Sequence, residues 1–88
     1  MNYLPLEDMD CFKNSVIVAD WIYHRVSQWE YLPRSTVGTQ IIRAADSIGA
    51  NLVEGDGRGS DPDSLRFFVY ARASARETKY WLERAMKR

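Results

Sequence analysis

Apolar residues recur along this chain at spacings of three and four, and they do so in three separate stretches. From about residue 10 to 30, Phe12, Ser15, Ala19, Ile22, Val26 and Trp29 fall on one stripe of a helix. A second stretch, about 36 to 54, puts Val37, Ile41, Ala44, Ala45, Ile48 and Leu52 on one side. The third, about 62 to 87, has Phe68, Ala71, Ala75, Thr78, Leu82 and Ala85 as its seam, with Phe67, Tyr70, Ser74, Glu77, Trp81 and Arg84 as a second stripe beside it. Two such stripes are more than one helix needs against two partners in a small bundle, so part of the third helix is expected to face another chain. The two-residue alternation of a half-buried strand competes nowhere.

Breaker chemistry separates the three stretches. Pro33 disfavours helical geometry at Leu32, so the sequence predicts a turn over 31–35, with Ser35 or Thr36 capping the second helix. The run Gly55-Asp56-Gly57-Arg58-Gly59 stops that helix, and Ser60 or Asp61 can cap the third. Pro62 suits the first turn there, and Asp63 favours the positive end of the helix dipole. Ala44, Ala45, Gly49 and Ala50 permit close helix approach, and a mid-helix glycine implies tight backbone packing or a local bend. Short connections imply antiparallel neighbours. The expected architecture is therefore all-α: an antiparallel up-down bundle forming one domain over residues 1–88, with helices at about 10–30, 36–54 and 62–87.

Composition narrows the chemistry. With 88 residues the core is small, and Trp21, Trp29 and Trp81 are hard to bury within one subunit, which favours self-association. Cys11 and His24 are the lone members of their types, so neither a disulfide framework nor a Cys- or His-rich metal site can form, and no metal or cofactor is expected. The longest apolar run, residues 67–71, is far below the ~20 residues of a membrane span, and the opening residues lack a basic segment leading into an apolar core. The expectation is a cytoplasmic protein with no membrane partner.

Twelve basic and twelve acidic side chains balance, but the balance is uneven along the chain. Residues 64–88 hold seven basic groups against Glu77 and Glu83. Arg72, Arg76 and Lys79 share a stripe, and their repetition around an assembly would make a belt able to contact a polyanion such as RNA. The competing reading pairs these cations with Glu54, Asp56 or Glu77 of a neighbouring subunit, and the chain's zero net charge tilts toward it.

No catalytic constellation is specified, and the chain is expected not to be an enzyme. The glycine-rich loop lacks both the Gly-Lys-Ser/Thr ending and the preceding strand of a phosphate loop, so it reads as a helix stop. Asp56, Ser60, Asp61 and Asp63 miss the ligand alternation of a calcium loop. His24 reads as a surface or interface residue, and Cys11 as a partly buried thiol. Asn51 and Glu54, at the end of an apolar helix, can satisfy backbone or arginine donors, or contact a ligand.

The run from Gln40 to Arg58, including Arg43-Ala44-Ala45-Asp46-Ser47-Ile48 and Asn51-Leu52-Val53-Glu54-Gly55-Asp56-Gly57-Arg58, resembles the signature of the four-helix-bundle proteins known from intervening sequences in bacterial 23S rRNA genes, a family related to the retroelement accessory variability proteins. Ala71, Ser74 and Glu77 are similar to the Ala-x-x-Ser-x-x-Glu motif of that family's next helix, and the resemblance covers about residues 10 to 86. Ile42 stands where the family has the first arginine of a pair, Gly49 where it has proline, and the chain ends at Arg88 with nothing for the family's fourth helix. The resemblance implies a helical bundle, assembly into a homo-oligomer (a pentameric ring, or a dimer), no enzymatic activity, and in its basic relatives contact with nucleic acid and a reverse transcriptase. It also implies a polar motif cluster at Arg43, Asn51, Glu54, Arg58 and Glu77. The function expected is that of an oligomeric interaction or scaffold protein, RNA-associated in one version. Its alternatives are a scaffold whose protein partner supplies the missing helix, and a small-ligand pocket or enzyme site at a subunit interface built from Asn51, Glu54, Arg58 and Glu77.

Overall fold

A computed structural model describes residues 5–88; residues 1–4, where the segment expected to lack a leader begins, lie outside the described residues. A single 3-10 turn, Leu6–Asp8, precedes three long helices: α1, Asp10–Ser27; α2, spanning 31–56; and α3, Asp61–Lys87. No strand occurs among the described residues. The all-α antiparallel arrangement read from the periodicity is the one observed.

The composite α2 corrects the expected turn at 31–35. It begins with one α-helical turn, Tyr31–Pro33, passes through a π-helical turn, Arg34–Gly38, and continues as regular helix, Thr39–Asp56. Pro33 thus sits in a helix's first turn, where backbone N–H groups have no intrahelical acceptor and the missing proton costs nothing. Ser35 and Thr36 do not cap the helix. Their hydroxyls donate to the Leu32 carbonyl at 3.2 and 2.7 Å. The break between α1 and α2 shrinks to residues 28–30, so α1 ends at Ser27, three residues before the expected end.

Gly38 closes the π turn. A Cβ there would stand 2.5 Å from Val26 Cγ1 and 3.2 Å from the Pro33 carbonyl oxygen, so only glycine admits both the wide turn and the approach of α1. At the other junction Ser60 is the cap residue of α3, its Oγ accepting from the Asp63 amide at 3.4 Å, with Pro62 in the first turn behind it.

The buried cluster joins Ala19, Ile22 and Val26 of α1 to Val37, Ile41 and Ala45 of α2, and Ile41 is wholly buried. These are the stripes drawn by the three-and-four spacing. Burying an aliphatic side chain of this kind stabilises the fold by about 1.5–3 kcal/mol, which makes this cluster the main source of stability. Its polar neighbours are satisfied locally: the buried Ser15 hydroxyl donates to the Phe12 carbonyl at 2.7 Å and the buried Thr78 hydroxyl to the Ser74 carbonyl at 2.8 Å. Ser15 also lies against Gly49, so the small residue serves close packing, and α2 runs through it as uninterrupted α-helix.

The third seam is corrected. Ala71 and Thr78 are buried, but Phe68 and Ala75 are exposed, while Phe67, Ser74 and Trp81 are half-buried. The physical reason is the placement of α2 at the corner of the fold. Both other helices pack on α2, and among the described residues no Cα of α1 comes within 8 Å of one in α3. The flank of α3 that turns toward α1 therefore finds no backbone neighbour, and the stripe centred on Ala71 and Thr78 carries the packing instead.

Candidate interaction surface

Arg72, Arg76 and Lys79 are exposed on α3, about one helical turn apart in sequence. Among the described residues the ion pairs are Arg58–Glu54 and Arg66–Asp63, so none of these three cations stands at ion-pair distance from a carboxylate there. Arg76 and Lys79 share an open hollow of about 350 Å³ with Tyr80 and Glu83.

The polar residues of the family motif divide between two places. Arg43 and Glu77 line a hollow of about 200 Å³ with Gln40, Ala44 and Ser47, where α2 meets α3. Glu77 there accepts from Trp81 Nε1 at 3.2 Å. Further along α2, the Asn51 amide donates to the Ser47 carbonyl at 2.9 Å, a bond that ties it to its own helix. Glu54 and Arg58 form an ion pair at 2.6 Å, and the Arg58 guanidinium lies 4.2 Å from the centroid of the Phe67 ring. Arg66 approaches the same ring at 5.3 Å. Arg43 and Glu54 are separated by about 16 Å along the helix axis at ~1.5 Å per residue. One chain therefore does not bring Asn51, Glu54, Arg58 and Glu77 into a common pocket. Glu54 and Arg58 brace the α2–α3 corner, and beside them Gly55 receives the Phe68 ring, whose atoms would lie 2.5 and 2.8 Å from a Cβ at that position.

His24 is exposed, edge-on to the Tyr23 ring at 5.9 Å between centroids. Cys11 is exposed as well, where a partly buried thiol was expected: it lies in the first turn of α1, at the end of the helix. No group of three or more His, Cys, Asp or Glu side chains able to hold a metal ion occurs among the described residues, and no helix among them is long and apolar enough to cross a membrane.

The feature that periodicity did not locate is a groove of about 390 Å³ between α1 and α3. Trp21 and Arg25 form one wall, Leu82 and Met86 the other, and Ile22 and Ile41 reach its floor. Trp21 is 57% exposed and Met86 85% exposed. An adjoining hollow of about 610 Å³ at the bundle end is lined by Trp29, Leu32, Pro33, Val37, Ala85 and Arg88, among others. The open flank of α3 carries Phe68, Ala75 and Met86, whereas Phe67, Ser74 and Trp81, in the stripe beside the expected seam, are half-buried. The signal was present in Trp21, a large aromatic placed just off the α1 seam, but its meaning depended on α1 and α3 standing apart.

The family model described as 23S rRNA-intervening sequence protein matches residues 7–88 of this chain. A search of curated proteins gives no match.

Proposed function

Because this chain belongs to the 23S rRNA-intervening sequence protein family, we propose that it acts without enzymatic activity, as a self-associating interaction protein whose helices present apolar surface to other copies and to partners. The observation that carries this reading is the apolar belt around α1. Val16, Ile17 and Val18 are 41%, 65% and 42% exposed in succession, and Trp21 and Tyr23 are each 57% exposed. Large apolar side chains exposed in such number on one helix mark an interaction site more often than they persist facing water. Multi-angle light scattering at micromolar concentration tests it: a stable dimer or ring is expected, and a monodisperse monomer overturns self-association.

A second reading is supported by Arg72, Arg76 and Lys79, three exposed cations without an ion-pair partner among the described residues. Repeated around an oligomer they form a belt for the phosphates of RNA. Binding would then fall steeply with salt, and Arg72→Ala with Arg76→Ala would weaken it equally for all sequences, since phosphate contacts carry no base information. A wild-type oligomer that shifts no RNA at ~50 mM salt, where weak electrostatic binding is largely unscreened, leaves the cations to intersubunit pairing.

A further inference from the structure

We propose that a second copy of this chain docks in the groove between α1 and α2, laying the outward stripe of its α3, Leu65, Val69, Arg72 and Arg76, against Val16, Val53, Asp20 and Asp46. The inference rests on the self-association reading above and names the two surfaces that meet.

The groove is a hollow of about 280 Å³ floored by the buried small residues Ser15, Ala19 and Ala45, with Gly49 beside them. So little side chain on the floor lets another helix come close. The exposed Val16 and Val53 and the exposed carboxylates of Asp20 and Asp46 line the same hollow. Ser15 lies against Gly49, and this register between antiparallel helices sets the two valines toward one end of the groove and the two aspartates toward the other. Among the described residues neither aspartate stands at ion-pair distance from a cation. Arg43, three residues before Asp46, lines the separate hollow that holds Glu77.

The counterpart is on α3. At about 100° per residue, Val69 and Arg76 fall roughly opposite the buried Thr78, so they point away from α2, and Leu65 and Arg72 stand beside them. Leu65 is 62% exposed and Val69 43%, and both arginines are exposed. No acid stands three or four residues from Arg72 or Arg76, the positions from which a side chain pairs along a helix. Glu83 shares its hollow with Arg76 and Lys79, and Lys79 is left out of the contact.

Order and spacing agree between the two surfaces. On α3, Leu65 and Val69 each precede an arginine by seven residues, and on α2, Val53 follows Asp46 by seven. Each step is about 10 Å at ~1.5 Å per residue, so apolar contact at one end sets arginine against aspartate at the other. The incoming α3 then runs antiparallel to α2 and parallel to α1, the direction it has in its own bundle. Neighbouring copies stand side by side, pointing the same way and joined through different surfaces. Such a heterologous contact passes from copy to copy and closes into a ring where the rotation allows. Apolar burial holds the contact, and the charges fix its register.

Sedimentation of the full chain tests the pairing through charge exchange at exposed positions. Asp20→Lys/Asp46→Lys and Arg72→Glu/Arg76→Glu are each expected to weaken assembly at least ~tenfold, since like charges then face each other. The variant carrying all four changes is expected to assemble again to within about threefold of wild type, as re-paired charges require and as two independently misfolded variants could not. Replacing the aspartate changes by Glu54→Lys/Glu77→Lys should give no rescue. With Cys11→Ser, a chain carrying Ala50→Cys and Val69→Cys should oxidise to a ladder of covalent oligomers, whereas either cysteine alone gives monomers. No rescue by the fourfold variant, rescue through Glu54 and Glu77, or disulfide dimers from a single-cysteine chain would overturn the proposal, the last by assigning a two-fold symmetric pair. So would an Arg72→Glu/Arg76→Glu variant that keeps its assembly and loses RNA binding, since that leaves the arginines to phosphate. A wild-type oligomer indifferent to both charge pairs defeats only this inference, whereas a wild-type monomer defeats the self-association reading with it.

Discussion

Ile41 and Ile17 show how far burial, and not residue type, sets the contribution of a side chain. Ile41 is wholly buried in the cluster between α1 and α2, whereas Ile17 is 65% exposed. Ile41→Ala should destabilise by about 2–5 kcal/mol, the cost of lost transfer energy plus a cavity. That is a large share of the roughly 4–13 kcal/mol that a chain of this size has in total. Ile17→Ala should stay within ~0.5 kcal/mol, provided unfolding is measured under dilute conditions where assembly does not contribute. Urea titration monitored by circular dichroism separates the two, and equal effects would mean that Ile17 is buried by another copy.

The glycines make a second contrast at this scale. A Cβ at Gly38 meets the buried Val26 side chain at 2.5 Å and the Pro33 carbonyl at 3.2 Å, neither of which has room to retreat. A Cβ at Gly55 meets the exposed Phe68 ring, which can swing away, leaving the Ser64 carbonyl at 3.1 Å. Gly38→Ala should cost about 1–3 kcal/mol, the range for overpacking a fitted site, and Gly55→Ala less. Adding Phe68→Ala to Gly55→Ala should recover part of that smaller loss, a coupling that a double-mutant cycle measures directly.

Among the elements, α3 has its start fixed by local contacts. Its residues run from Asp61 to Lys87, its backbone packs on α2 and not on α1, and it starts from a glycine-rich loop. Ser60 caps it and the Glu54–Arg58 pair with the Phe67 ring ties its first turns to the end of α2. Both interactions are exposed, so each is small. Ser60→Ala should cost about 0.5–1 kcal/mol as a lost cap, and Arg58→Ala about 0.5–1 kcal/mol for an exposed pair plus ring contact. Hydrogen exchange should place both effects in the first turns of α3, with the Ile22–Ile41 cluster protected as before. A global loss on Arg58→Ala would mean that the corner, not the α1–α2 cluster, holds the molecule together.

At the scale of the molecule, the fold is an elongated body, 49 Å in its longest extent and 21 by 16 Å across, whose core is enclosed on fewer sides than its apolar content allows. Half-buried Trp29, Trp81 and Leu82 lean on the core cluster. Any occupant of the groove between α1 and α3 should therefore raise the midpoint of thermal unfolding in a concentration-dependent way, because it binds only the folded form. A thermal midpoint that rises with protein concentration alone, with no partner present, would locate that stabilisation in self-association.

The stripes of α1 and α2 were legible in the sequence because each depends only on helical periodicity: Ser15, Ala19, Ile22 and Val26, and Val37, Ile41, Ala44 and Ala45, are buried as spaced. The cap at Ser60 was legible for a similar reason, since capping chemistry is local. Family membership was carried by the run ending in Asn51, Glu54, Gly55 and Arg58. The start of α2 was not legible, because Pro33 is compatible with a turn or with a helix's first turn, and the choice between them rests on Gly38 fitting under Val26. The polar motif residues read as one cluster in sequence, yet rise per residue separates Arg43 and Glu77 from Glu54 and Arg58. Which flank of α3 stays open was not legible either. Periodicity says which residues share a face of a helix, but whether that face meets a neighbour depends on where the other helices stand, and the separation of α1 from α3 across α2 is a property of the packed molecule alone.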